Sequence, residues 1–285
     1  MHKFRSPIFS IASVAAAAVL AISISSPARA VDADADDAGY AKPVDSPQAR
    51  QILTGMANFL ASQKAFRVDI DCAHDAVQPT GQKIEFIDRR QITVRRPNEM
   101  RMDVQRSDGQ STAVYINPAT ITAMDVNKKV YAQTEAKASL DDNLKFLLRD
   151  LRMQLPMALL LSSQLPAALQ KRVVQVDYVE QTTLLGKPVH HIAGSTNSID
   201  FQMWIGADKQ PLPYRIVLTY RNAEGEPQFR GQFSNWELSP WIRSATFSPA
   251  VGNAHRIAFL PQIKAAAAAQ GAPAQSASAS KGAAK

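Results

Sequence analysis

The alternation of apolar and polar positions divides the chain into segments of different period. Ser46-Pro47 offers an N-cap followed by proline at the first helical position. Ile52, Met56, Phe59 and Leu60 then recur at offsets 0, 4, 7 and 8, one stripe of an amphipathic helix. After Lys64 the period becomes two, with Phe66, Val68 and Ile70 alternating with Arg67, Asp69 and Asp71. A long extended stretch follows, in which Ile84, Phe86, Ile92 and Val94 run in phase around Asp88 and Arg90. Met100, Met102 and Val104 alternate with Arg101, Asp103 and Gln105. Asp108-Gly109 is the strongest local hairpin signal, with Thr112 to Ile116 as its return strand. Ile121 to Val126 and Val130 to Thr134 flank Asn127-Lys128-Lys129 as a further hairpin. The first half therefore reads as an antiparallel meander.

The middle has a helical period. Leu140, Leu144, Leu147, Leu148 and Leu151 fall at 0, 4, 7, 8 and 11, a wide leucine face set against Asp141, Asp142, Lys145, Arg149 and Arg152. Pro156 restarts a second apolar piece, Met157 to Leu161, and Pro166 begins a short third. Strands then resume at Val173 to Glu180, Val189 to Ala193, Ile199 to Ile205, Tyr214 to Arg221 and Gln228 to Leu238, with a short further candidate at Ala245 to Phe247. The connectors at 185–188, 208–213 and 222–227 carry turn residues. This order predicts an α+β, mainly antiparallel fold. A sheet of about 10–11 strands is too wide to stay flat, so it should curl into an unclosed half-barrel. The helices, apolar on one face, should cover its concave side.

The two ends read differently. Lys3 and Arg5, the apolar or small run from Ile8 to Ile24, and Ala28-Arg29-Ala30 form a secretory signal over residues 1–30. The run is diluted by alanine and serine, so the mature chain is not expected to span a membrane. No cysteine near the cleavage point supports a lipid anchor. Residues 31–45 form an acidic leader with Asp32, Asp34, Asp36, Asp37 and Asp45 against Lys42, and residues 264–285 form an alanine-rich tail; both read as disordered. A single folded domain over 46–263 remains. Of the formal net charge of +7, the signal holds three basic residues, the leader a net −4 and the tail three lysines, which leaves +5 for the domain. Its basic residues are interspersed with acidic ones, so the footprint of a nucleic-acid binder is absent. A single cysteine, Cys72, excludes an internal disulfide and any cysteine-based zinc cluster; it is expected to pack as a small apolar side chain.

Motifs for catalysis are missing: there is no G-x-G-x-x-G, phosphate loop, H-E-x-x-H, C-x-x-C or G-x-S-x-G. Neighbours on a strand point to opposite faces, so His190 and His191 are poorly placed to share a metal ion. Ser195, His191 and Asp200 make a triad only by residue type, with no oxyanion hole in sight. No catalytic residue, metal or cofactor is expected. What stands out is apolar surface. Ile199, Phe201, Met203 and Ile205 line one strand face, and Tyr214, Ile216, Leu218 and Tyr220 line the next. The residues expected to face a hydrophobic ligand are Leu144, Leu147, Leu148, Met157, Leu160, Met100, Met102, Phe201, Met203, Ile216 and Leu218. The plainer alternative is that they only fill a core.

Val189-His190-His191-Ile192, Asp200 to Ile205, Pro211-Leu212-Pro213 and Pro227-Gln228 through Asn235-Trp236 resemble a family of predicted periplasmic proteins defined as a domain of unknown function. Arg95-Arg96-Pro97-Asn98 is similar to its N-terminal signature, and the likeness covers roughly residues 47–260. The family often has cysteine where this chain has Val189. It is grouped with the LolA-like outer-membrane lipoprotein carriers and the mycobacterial lipid carriers, half-barrels lidded by helices. The resemblance implies a carrier or binder and supplies neither a ligand nor catalytic residues; the leading expectation is a monomeric periplasmic protein that binds a lipid or lipoprotein acyl chain. The alternatives are an envelope sensor that binds a partner protein and, last, a hydrolase.

Overall fold

The computed structural model describes residues 45–259. The signal sequence, all but the last residue of the acidic leader, and the alanine-rich tail lie outside the described residues. The chain runs α1 (Pro47–Ser62), β1 (Ala65–Val77), β2 (Lys83–Arg95), β3 (Glu99–Arg106), β4 (Ser111–Ile116), β5 (Thr120–Asp125) and β6 (Val130–Glu135). Three helices follow, α2 (Leu140–Arg149), α3 (Ala158–Leu161) and α4 (Leu165–Arg172). The second set of strands is β7 (Gln175–Leu184), β8 (Lys187–Ser195), β9 (Ile199–Gly206), β10 (Pro213–Tyr220), β11 (Gln228–Leu238) and β12 (His255–Ile257).

All twelve strands join one sheet, in the order β12-β6-β5-β4-β3-β2-β1-β11-β10-β9-β8-β7. The two meanders meet where β11 pairs antiparallel with β1, and β1 pairs with β2 along its whole length, Ala65 opposite Arg95 through Val77 opposite Lys83. The sheet is curled and unclosed. Register shifts between Arg67 and Asp69, Tyr178 and Glu180, and Pro213 and Arg215 mark bulges, each of which bends its strand and adds twist. Asn235 supplies the left-handed residue opposite the first of these, with φ 52°.

This topology explains where the helices lie. β6 sits beside the short β12 near one end of the sheet and β7 is the other edge, so the link between them must traverse the whole sheet. That link is α2–α4, and it crosses the apolar face. α2 starts where Ser139 accepts the Asp142 N–H, and Asp141 and Asp142 complement the helix dipole. α1 starts at the Ser46 cap with Pro47 behind it, as its sequence predicts.

The prediction needs four corrections. The sheet has twelve strands, because β12 adds in parallel to β6, with His255 opposite Val130. The strand expected at 245–247 is a 3-10 turn, Ser244–Phe247, that buries Phe247 completely. A single phenylalanine at its end cannot specify a strand by period. The leucine helix ends at Arg149, so Leu151 packs from the following loop. Leu148, one of the residues expected to face a ligand, points outward and is 40% exposed. It shares the α2 wheel with buried Leu140, Leu144 and Leu147, but lies at the edge of a stripe too narrow to include it.

Acid should loosen this fold. Burial pushes the Asp69 carboxyl up, but hydrogen bonds from Asn235, Gln91 and Arg89 outweigh it and hold the group below its usual 3.8. Burial also pushes Asp75 up, and Arg230 with the Gln228 N–H more than reverses it. A depressed carboxyl stabilises the fold fully above its unfolded value and ceases to do so as pH falls through the folded one. His74 acts in the same direction: burial lowers it below 6.5, so below that pH the unfolded chain takes up the proton first. We expect the melting temperature to fall from pH 7 to 5 and to drop more steeply below pH 4. A melting series that is flat across that interval contradicts this.

Candidate ligand-binding face

The helix-covered face is apolar because the period-two pattern places one side of every long strand there. Phe66, Val68, Ile70 and Cys72 come from β1, Ile92 and Val94 from β2, and Met100 and Met102 from β3. Phe229 and Phe233 come from β11, Ile216 from β10, and Phe201, Met203 and Ile205 from β9. The helices answer with Leu53, Met56 and Leu60 of α1, Leu140, Leu144 and Leu147 of α2, and Leu160, Leu161 and Leu165 from α3 and α4. Of the residues expected to face a ligand, all but Leu148 and Leu218 are buried in this one cluster, and Leu218 packs half-buried at its edge.

Side chains of sheet and helices interlock in this cluster at Gly231. Met157, just before α3, lies over Gly231 of β11, where an added Cβ would come within 3.3 Å of its sulfur and of Ile216 Cγ2. Glycine at 231 is thus the slot that admits the Met157 side chain.

Hydrogen bonds pin the cover at two points. Asp141 of α2 accepts the Ser163 N–H at 2.9 Å and the Ser163 hydroxyl, which ties α2 to the link between α3 and α4. Burial pushes the Asp141 carboxyl up, and the serine hydrogen bonds bring it below its usual value. The fully buried Asn143 accepts the Lys137 N–H and donates to the Lys137 carbonyl. Nearby, Arg96 donates from Nε to the Gln63 carbonyl while its Nη2 is buried with no hydrogen-bond partner. We expect Asp141→Ala to cost about 1–3 kcal/mol, the range for leaving a buried donor unpaired. Native hydrogen exchange should show the loss concentrated in residues 158–165.

The apolar face has a polar end, which the sequence reading left out of its candidate residues. Asp88 and Arg90 share the phase of Ile84, Phe86, Ile92 and Val94, so they stand on the same face. Arg90 donates to Asp88 through Nε at 2.6 Å and Nη2 at 3.0 Å, and the two side chains are only 11% and 6% exposed. The Arg90 guanidinium also lies 5.7 Å over the Phe229 ring. Burial pushes the neighbouring Cys72 thiol up to about 12, so it stays protonated and unreactive. Toward the β1–β2 hairpin the face opens, with His74, Phe86, Leu218 and Tyr220 half-buried. Asp88 and Arg90, two charged residues in register with apolar ones, were the available clue.

The opposite face is polar. His190 and His191 point to opposite sides as expected. His190 Nδ1 meets the Tyr178 hydroxyl at 3.2 Å, while His191 stacks on Trp204 at 4.1 Å and reaches Gln202 at 3.1 Å. Asp200 pairs with Arg221 at 3.2 Å, so two members of the paper triad, His191 and Asp200, are engaged with other partners. No group of three or more metal-ligating side chains is gathered among the described residues. Ala193 and Ser195 leave a shallow furrow of about 390 Å³ over β8, walled by Gln175, Asp177, Asp200 and Gln202.

No curated protein sequence matches this chain. Among solved structures it is similar to LprF of Mycobacterium bovis, at 13% identity over 70% of this chain and 96% of that one, with a TM-score of 0.45. It is also similar to the lipoprotein LppX of Mycobacterium tuberculosis, at 12% identity over 69% and 98%, TM-score 0.44. A third is MucB of Pseudomonas aeruginosa in its complex with MucA, at 16% identity over 71% and 61%, TM-score 0.39. No helix of the described residues is long and apolar enough to cross a membrane. The family model described as predicted periplasmic protein (DUF2092) matches residues 49–260, and the chain belongs to that family.

Proposed function

We propose that the protein is a non-catalytic periplasmic binder of a hydrophobic ligand, an acyl chain of a lipid or lipoprotein, held between the sheet and its helical cover. One observation carries the reading: a wide, continuous apolar sheet face is covered by short, separate helices and loop. A second sheet would bury the same surface through a fixed backbone ladder. α3 has only four residues, so the cover between Arg149 and Leu165 owes its place mainly to side-chain packing and to the Asp141–Ser163 tie. Such segments occupy the low-stability end of a fold and open without unfolding the sheet. The adaptable Met100, Met102, Met157 and Met203 suit a surface that repacks around a flexible chain. Removal of residues 1–30 on export is part of the same reading.

The test uses delipidated protein and a fluorescent alkyl probe, 11-dansyl-aminoundecanoic acid. Saturable binding that hexadecanol or palmitate displaces, together with co-purifying lipid in native mass spectra, is expected. Absence of both defeats the proposal.

A further inference from the structure

The sheet ends at β7, and this edge is built unlike its opposite. β12 is three residues long, whereas β7 runs for ten. The start of β7 is already covered by its own chain: the Ser46 N–H donates to the Val176 carbonyl at 2.8 Å and the Val176 N–H to the Asp45 carboxylate at 3.0 Å. Beyond Val176, the backbone of residues 178–184 bonds only to β8 among the described residues. Among the described residues, nothing meets the donors and acceptors on its outer side. Natural edges of this length are normally blunted by lysine, proline or a covering element. The run Tyr178-Val179-Glu180-Gln181-Thr182-Thr183-Leu184 contains no lysine and no proline, and one bulge at Val179 is its only irregularity.

Two further observations say what fits there. Exposed large apolar residues gather at this edge: Val174 is 61% exposed, Val179 49% and Leu185 69%. Charge is also concentrated on its polar face. Asp177 and Glu180 stand along the edge, Glu180 with 57% of its side chain exposed, whereas Asp200 in the furrow behind them is already paired with Arg221. No lysine or arginine stands on β7 itself. We infer that β7 is a docking edge for an extended segment of a partner protein, one that alternates apolar or β-branched residues with lysine or arginine. The segment adds as a thirteenth strand. Its backbone supplies the missing ladder, its apolar residues cover Val179 and Leu185, and its cations meet Asp177 and Glu180. A second copy of this chain is a poor occupant, because pairing two β7 edges around this run brings the acidic residues of both onto one face.

The probe is a capped, fluorescein-labelled octapeptide alternating lysine and valine, followed by anisotropy on the full chain. Saturable binding is expected, with slowed amide exchange in residues 178–184. The same peptide N-methylated at alternate residues should lose at least about tenfold in affinity, since it cannot complete the ladder. The variant Asp177→Lys/Glu180→Lys should lose a similar factor for the unmodified peptide, and a peptide with glutamate in place of lysine should not bind wild-type protein. Equal binding of the N-methylated peptide, or undiminished binding to the charge-reversed variant, overturns the inference. So does a concentration-dependent dimer whose exchange protection falls on β7 and resists the peptide, which assigns the edge to a second copy.

Discussion

Asp88→Ala is expected to destabilise the protein by about 3–5 kcal/mol, because it leaves the Arg90 guanidinium buried without its carboxylate. The pair lies on the apolar face between Cys72 and Phe229, and neither side chain has water enough to replace the other. Removing both charges at once should be far milder. Asp88→Leu with Arg90→Met is expected to be near neutral or stabilising, since the desolvation cost of two ions disappears together with their attraction. Urea unfolding of the wild type and both variants, read from midpoints at unchanged slope, makes the comparison. A single variant as mild as the double one would mean that the pair is hydrated, and the face would then lack a buried polar end.

The second large effect concerns the cover. Met157→Ala is expected to cost about 2–5 kcal/mol, the range for truncating a long side chain in a packed core. The same change empties the slot above Gly231 and beside Ile216. If the cover is the door to the ligand face, this variant should bind the dansyl alkyl probe more tightly than wild type despite its lower stability, because ligand atoms refill the void. Loss of stability with no gain in probe binding would leave Met157 as ordinary core. Gly231→Ala pushes the other way, forcing Met157 and Ile216 outward by a few tenths of an ångström, and should weaken probe binding.

The two hairpin meanders and the polarity of their faces were readable from alternation alone. A strand shows its faces at every second residue, and Asp108-Gly109 marks its own turn. The α1 stripe was equally plain, since its cap and its period agree. The Arg90–Asp88 pair was legible in principle: both residues share the parity of Ile84 and Val94. Read locally, they were interruptions of an apolar run, because nothing nearby in sequence shows that a charge is paired rather than solvated. Leu148 failed for the converse reason. Its leucine identity and spacing fit the α2 stripe, but the width of the stripe that becomes buried is set by the sheet opposite.

Sequence by itself determined the local units: which segments extend, which coil, where they turn and which side of each is greasy. These follow from backbone sterics and side-chain period within about ten residues. Tertiary structure alone decided that β11 returns to β1, that the linking helices must therefore cross the sheet, and that β7 is the last strand of the sheet as described. The return of β11 to β1, on which the order of the whole sheet turns, depends on contacts between residues more than a hundred positions apart, such as Ile70 opposite Phe233, whose closure no local period encodes.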